Sequence, residues 1–346
     1  MKLNTSQVVV ITTINTMEHS GLKKLIQNAI EQNYLLIIVG DKQTDIKFNR
    51  LELPLVKYYD VQTQLESVFH LAKTLPLNHY ARKNIGYLYA AQTGFEWISE
   101  TDDDNCFYPK FWDTPTEHIG IKSDTTSKWV NVYKAFGIEK IWHRGIPIDK
   151  VPASNQIILT KPMKPGLVSC VQGMADGDPD VDAICRILFQ PQTAFPDKTF
   201  VIDDSFYAPT NSQLTRWHVQ RALALLYLPS TVSWRVSDIW RGLIAQRFFS
   251  LTNMETQFKG GAGYQLRNNH DLLKDFIDEF QVHRDTHYLL EILEKVKTKD
   301  IYDYMTEVYS ILAKTQVIQD LELKRLSNWV EDVQGVLNSF PSHTSP

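Results

Sequence analysis

Cysteine is scarce in this sequence. Cys106, Cys170 and Cys185 are the only three, widely spaced and without a Cys-x-x-Cys pair. That excludes a disulfide framework and a zinc knuckle, and it suits a reducing compartment. A basic surplus is also missing: 36 Lys and Arg stand against 40 Asp and Glu, for a formal net charge of -4. Nothing in that balance points to a nucleic-acid partner. Long apolar runs are absent, since none approaches the roughly 18 residues that would span a bilayer. The opening MKLNTSQVVVITTIN has too short an apolar stretch for a signal peptide. The expectation is a cytoplasmic protein, with peripheral membrane contact left open. Repeats and low-complexity tracts are lacking as well.

What is present is ordinary globular material, 43% hydrophobic and 22% charged, enough to bury a core without a staple. Val8–Thr12 and Leu35–Val39 are β-branched or apolar runs that predict buried strands, and Leu55–Tyr59 and Glu96–Ser99 predict two more. Between them, Leu22, Leu25, Ile26 and Ile30 share one face of a helix over Gly21–Gln32, and Tyr80–Thr93 has a second helical pattern. Strands alternating with helices predict βαβ units and a parallel α/β sheet. Ligands in such sheets bind at the carboxyl ends of the strands.

The pattern then loosens over residues 110–210, with short strands expected near Ile157–Leu159, Leu167–Val171 and Thr199–Ile202. Trp217–Tyr227 and Ser237–Phe249 read as helices. Residues 271–338 predict three or four helices packed on the sheet domain. The glycines of KGGAGYQLRNNH predict a mobile loop and a boundary, so the chain is expected to divide into residues 1–262 and 263–346.

Asp102-Asp103-Asp104 follows the fourth predicted strand. Three adjacent carboxylates repel one another unless a cation neutralises them, and their oxygens suit Mg²⁺ or Mn²⁺. Taken alone, the triplet also fits an acidic turn. The stretch before it, His79-Tyr80-Ala81-Arg82-Lys83-Asn84-Ile85-Gly86-Tyr87-Leu88-Tyr89-Ala90-Ala91, resembles the signature of the STELLO glycosyltransferase-like family. Arg235-Val236-Ser237-Asp238-Ile239-Trp240-Arg241-Gly242, Asp180-Val181-Asp182-Ala183, Asn211-Ser212-Gln213 and Arg267-Asn268-Asn269-His270 agree in order. A more distant likeness is to the reversibly glycosylated polypeptides. Asp104-Asn105 departs from the Asp-Arg of plant STELLO members, and their Golgi address and cellulose partner do not carry over.

The resemblance implies a GT-A fold, a Rossmann-like mixed sheet that binds nucleotide-diphospho-sugars. Asp102 and Asp104, with His270, are then expected to hold Mn²⁺ or Mg²⁺. Thr12, Thr13, Asp41, Lys42, Asp102 and Asp103 would meet the nucleotide, and Arg82 and Lys83 its diphosphate. Asp238 would deprotonate the acceptor hydroxyl, with Arg241 orienting it or binding phosphate. Asp180, Asp182 and Asn211 would lie near the sugar or acceptor. Strand-end capping, helix capping and solvated charge remain open for these positions. The expected reaction moves a sugar from a UDP-type donor to a saccharide or glycan acceptor with inversion. A self-glycosylating mutase and an inactive scaffold are the alternatives, and self-association through the C-terminal helices is open.

Overall fold

The computed structural model describes residues 5–44, 53–115 and 117–339. The strands are β1 (Val8–Thr13), β2 (Leu35–Gly40), β3 (Val56–Tyr59), β4 (Trp97–Glu100), β5 (Asn105–Phe107), β6 (His118–Ser123), β7 (Ile157–Met163), β8 (Leu167–Gly177), β9 (Thr199–Ile202), β10 (Thr215–His218) and β11 (Met254–Gln265). The helices are α1 (Ser20–Glu31), α2 (Val61–Glu66), α3 (Lys83–Ala91), α4 (Val132–Ala135), α5 (Val151–Ser154), α6 (Ala183–Phe189), α7 (Val219–Ala222), α8 (Trp234–Thr252), α9 (Leu272–Lys295), α10 (Ile301–Lys314) and α11 (Leu321–Asn338).

All the strands form one mixed sheet in the order β3-β2-β1-β4-β10-β8-β11-β9-β6-β7, with β5 pairing β11 off this path. The first four strands run parallel, and β10 enters antiparallel between β4 and β8. Alternate side chains of β1 and β2 enter two cores: Val8, Val10, Ile37 and Val39 one, Val9, Ile11, Leu36 and Ile38 the other. Burial on both faces is why these strands read as unbroken apolar runs. Helix α1 covers one face through Leu22, Leu25 and Ile26. Helices α3 and α8 to α11 contribute to the core on the other.

Two expectations are corrected. Trp217 lies on β10, because Thr215–His218 pairs with both β4 and β8; only a short α7 and a 3₁₀ turn, Leu223–Leu226, follow. Sheet pairing overrode the apolar periodicity there. The glycine-rich stretch is no mobile loop but the second half of β11, paired with β8 and β5. Its glycines permit close approach: a Cβ on Gly263 would stand 2.2 Å from the carbonyl oxygen of Cys106. The 262/263 position therefore falls inside a strand. The C-terminal helices are tied to the rest by buried groups: Trp329 Nε1 donates to Ala224 O at 2.9 Å, and Tyr304 Oη to Ile244 O at 2.8 Å. Among the described residues no helix is long and apolar enough to cross a membrane.

Candidate nucleotide-sugar site

The acidic triplet leaves the end of β4, beside the end of β1. Each carboxylate is held from a different direction. Asp102 is half-buried and accepts from Tyr80 Oη at 2.9 Å and Lys83 Nζ at 3.2 Å. Asp103 accepts from Thr13 Oγ1 and from Asn15 Nδ2, the latter at 2.8 Å. Asp104 accepts from Asn105 Nδ2 at 2.8 Å, and from Gln265 Nε2 and the Asn268 backbone N–H, both at 3.2 Å. Strands β1, β4 and β11 and the segment after β11 thus converge on three consecutive residues.

Helix α1 closes the site from one side. His19 caps it through Nδ1, 3.3 Å from Leu22 N, while its Nε2 lies 2.9 Å from Asn268 Oδ1. A Cβ on Gly21 would come within 2.6 Å of Asp103 O and 3.0 Å of Asp104 Cα. Glycine is what lets the helix start pack onto the triplet backbone.

The electrostatics are unbalanced. Burial, then Asp102 and Asp103, push the Asp104 carboxyl up to about 6. Burial also raises Asp102, against Lys83 and Tyr80, and Asp238 adds to the rise. Thr101 Oγ1, Asn105 Oδ1 and Gln265 Oε1, neighbours of the triplet in sequence or by hydrogen bond, are buried without a hydrogen-bond partner. Such groups carry a desolvation cost that a bound polar ligand or water would relieve.

A second network adjoins the first. Arg144 donates through Nε to Asp180 at 3.0 Å and through Nη2 to Asp238 at 2.8 Å. Asp180 also accepts from Asn211 Nδ2 at 2.7 Å, and Asp238 from Ser212 N at 3.2 Å. Burial would raise Asp180, but Arg144 more than offsets it and holds the carboxyl at about 2. Asp238, Asp180 and Asn211, expected together at the sugar or acceptor, are therefore brought together.

Other expected site residues lie elsewhere or do other work. Lys83 does reach the triplet, at Asp102, with Nζ also donating to Thr101 O at 2.7 Å. Arg82 does not reach the triplet: it is fully buried, with Nε on Gln64 Oε1 at 2.9 Å. Thr12 donates to Val39 O at 3.0 Å across β1 and β2. The carboxylate of Asp41 is taken up by the backbone N–H groups of Lys42, Asn78 and His79, at 2.7 to 2.9 Å; the Lys42 side chain is exposed. Asp182 is the N-cap of α6, accepting from Cys185 N at 2.7 Å and Trp142 Nε1 at 2.6 Å. Arg241 is fully buried against Glu100, with Nη2 2.7 Å from Oε1, and also donates to Tyr87 Oη, Asn211 O and Ser212 Oγ. It positions the Asn211–Ser212 loop and has no exposed face for phosphate. His270 contacts Asp275 at 3.1 Å and makes no contact with the triplet. Among the described residues no group of three or more His, Cys, Asp or Glu is arranged to hold a metal ion.

Arg144, Asn15 and His19 were not legible as site residues. Arg144 sits in a proline- and glycine-rich loop with no periodicity. His19 precedes Ser20, the more familiar capping residue, yet it is His19 that caps.

A parallel half-sheet closing on an acidic triplet, followed by a half of mixed parallel and antiparallel pairing, makes a GT-A-like α/β architecture. A family model described as STELLO glycosyltransferases matches residues 235–344. Two relatives from Arabidopsis thaliana are similar along nearly the whole chain. "Probable glycosyltransferase STELLO2" is 23% identical over 94% of this chain and 44% of its own length; "Probable glycosyltransferase STELLO1" is 22% identical over 95% and 44%. By these matches the chain is similar to the STELLO glycosyltransferases, most specifically over its C-terminal third. It spans less than half the length of those relatives. A solved structure described as "Crystal Structure of a Mycobacterial Protein" is similar with a TM-score of 0.39 and 11% identity, covering 81% of this chain and 72% of that one; a likeness so slight carries no argument.

Proposed function

We propose that this chain is a metal-assisted glycosyltransferase that takes a sugar from a nucleoside diphosphate, uridine favoured, and places it on a saccharide hydroxyl with inversion. The observation that carries the reading is Asp104: a carboxyl raised to about 6 by burial, then by its neighbours Asp102 and Asp103, beside buried polar atoms without partners. That donor set fits a hard divalent cation. Asp102 and Asp104 would hold it, and when bound it would neutralise charge on the departing diphosphate. His270 is left out, since its contact is with Asp275 and none joins it to the triplet.

The chain's own groups do the rest. Lys83 fixes Asp102, and Thr13 and Asn15 fix Asp103, so the donor site is held rigid before binding. Asp238, oriented by Arg144 and Ser212 N, accepts the proton of the acceptor hydroxyl. The acceptor oxygen bonds to the anomeric carbon as the carbon–oxygen bond to the diphosphate breaks, and the nucleoside diphosphate leaves with that electron pair. The names of the relatives support the reaction class, and the triplet supports the donor class.

The test is incubation of the full chain with radiolabelled UDP-sugars, Mn²⁺ and a glycan extract. Label should pass to an acceptor with release of UDP. Label trapped on the chain itself, or no transfer from UDP-, GDP- or CMP-sugars, would sink the reading.

A further inference from the structure

Next to the triplet lies a cavity of about 300 Å³ lined by Arg186, Arg267, Asn268, His270, Gln190 and Leu272, among others. It adjoins the donor site through Asn268, which touches both Asp104 and His19. Its lining carries Arg186, Arg267 and His270 beside one carboxylate, Asp178. Arg186 pairs with Asp178 and donates through Nη2 to Pro179 O at 2.7 Å, but its buried Nε has no partner. The carboxylate of Asp275 is shared by Arg267 at 3.2 Å, Arg235 at 3.5 Å and His270 at 3.1 Å, and Arg235 also donates through Nε to Glu279 Oε1 at 2.7 Å. Burial, then Arg186 and Arg235, hold the Arg267 pKa below its ordinary value, in keeping with a locally positive site.

Exposed apolar side chains lie on the two helices whose ends meet at the cavity. Helices α6 and α9 run side by side in opposite directions: Ala183 N donates to Glu279 Oε2 at 2.7 Å, while Gln190, past the other end of α6, shares the cavity with Leu272 at the start of α9. On α6, Leu188 is 64% exposed and Phe189 46%; on α9, Leu273 is 69%, Ile277 70% and Phe280 49%. Positions 273, 277 and 280 are spaced i, i+4, i+7 and form one stripe. Exposed apolar surface gathered in this way marks a binding face.

We propose that this face seats an acceptor with a phosphate head and an apolar chain, presented at a bilayer surface. The phosphate enters between Arg186, Arg267 and His270, the guanidinium groups supplying charge-assisted hydrogen bonds. The chain and the outer leaflet cover Leu188, Phe189, Leu273, Ile277 and Phe280, as an amphipathic face does at an interface. The role as acceptor rests on the proposed transferase reading; the binding does not.

The experiment is flotation of the full chain, without nucleotide, on phosphatidylcholine vesicles with and without a polyprenyl monophosphate. The natural chain should float with the phosphate-bearing vesicles and much less with phosphatidylcholine alone, and free inorganic phosphate should not substitute. The Leu273→Glu/Ile277→Glu double variant should lose about tenfold or more in partitioning, because two apolar contacts are replaced by charge. Both side chains are exposed, and nucleotide binding by this variant reports that it folds. Arg267→Gln should abolish the preference for phosphate-bearing vesicles. Three results would each overturn the proposal: no flotation, a preference unaltered by Arg267→Gln, or a dimer broken by the double variant with flotation unchanged. Flotation without sugar transfer would leave this binding face standing and remove the transferase reading instead.

Discussion

The backbone N–H of Asn268 donates to Asp104 Oδ2 at 3.2 Å, joining positions 164 residues apart. Through that bond the segment after β11 fixes the last carboxylate of the triplet, and with it the geometry of the proposed donor site. The residues around the pair set several measurable expectations.

Gly21→Ala would drive a methyl group to 2.6 Å from Asp103 O. Alanine is the better helix former, so the helix itself would not suffer. The expected outcome is weaker nucleotide binding, by about tenfold or more, as the triplet backbone shifts, with the far-UV circular dichroism spectrum unchanged. Calorimetric affinity for UDP checks it; unaltered affinity would show that the α1 contact does not position the triplet.

Asp238→Asn removes the proton acceptor and leaves Arg144 paired with Asp180. Turnover should fall by about 10²- to 10⁴-fold, with donor affinity held within a few-fold. Steady-state kinetics separate the two. A rise in KM alone would assign Asp238 to binding.

Glu100 is wholly buried, with Arg241, Tyr87 and Trp217 on its carboxylate. Burial opposes its ionisation, but Arg241 and Lys83 more than offset that and hold its pKa below the ordinary value. Glu100→Gln would leave Arg241 with an uncompensated buried charge, at a cost of about 3 kcal/mol or more. Urea denaturation at neutral pH measures it, and a change below about 1 kcal/mol would contradict the assignment.

Asp182 supplies a pH signature. Burial, with Glu279 and Asp180 adding, pushes its carboxyl up to about 6 from the ordinary 3.8. Between those values the folded chain keeps a proton that the unfolded chain has lost. Its contribution to stability is therefore full below pH 4 and declines as pH rises through 6. Asp182→Asn retains a capping side chain and removes this titration. Relative to the natural chain, the variant should gain about 2 kcal/mol between pH 4 and pH 7. A pH-independent difference in urea midpoints would refute the shifted carboxyl.

The parallel half of the sheet was legible because both its faces are buried. Val8–Thr13 and Leu35–Gly40 carry their strand signal in every residue. Trp217 misled because its partners on β4 and β8 lie far off in sequence, while helical periodicity is local. The triplet, Asp238, Asp180 and Asn211 were legible as motifs, and the fold gathers them. Arg82 and Asp182 belong to those same motifs, and Asp41 was expected beside the nucleotide, yet all three make hydrogen bonds that hold the fold. Which member of a motif faces a ligand depends on side-chain direction, and a linear sequence does not contain it. Arg144 shows the converse: one loop residue, unmarked by pattern, binds the two carboxylates at the centre of the second network.

The triplet is proposed to bind a nucleoside diphosphate through a divalent cation. Titration of UDP into the natural chain, with and without Mn²⁺, and into Asp104→Asn tests it most directly. Binding should require Mn²⁺ and weaken by about tenfold or more in the variant, which corresponds to about 1.4 kcal/mol. UDP bound equally well without Mn²⁺, or equally well by Asp104→Asn, would contradict the account.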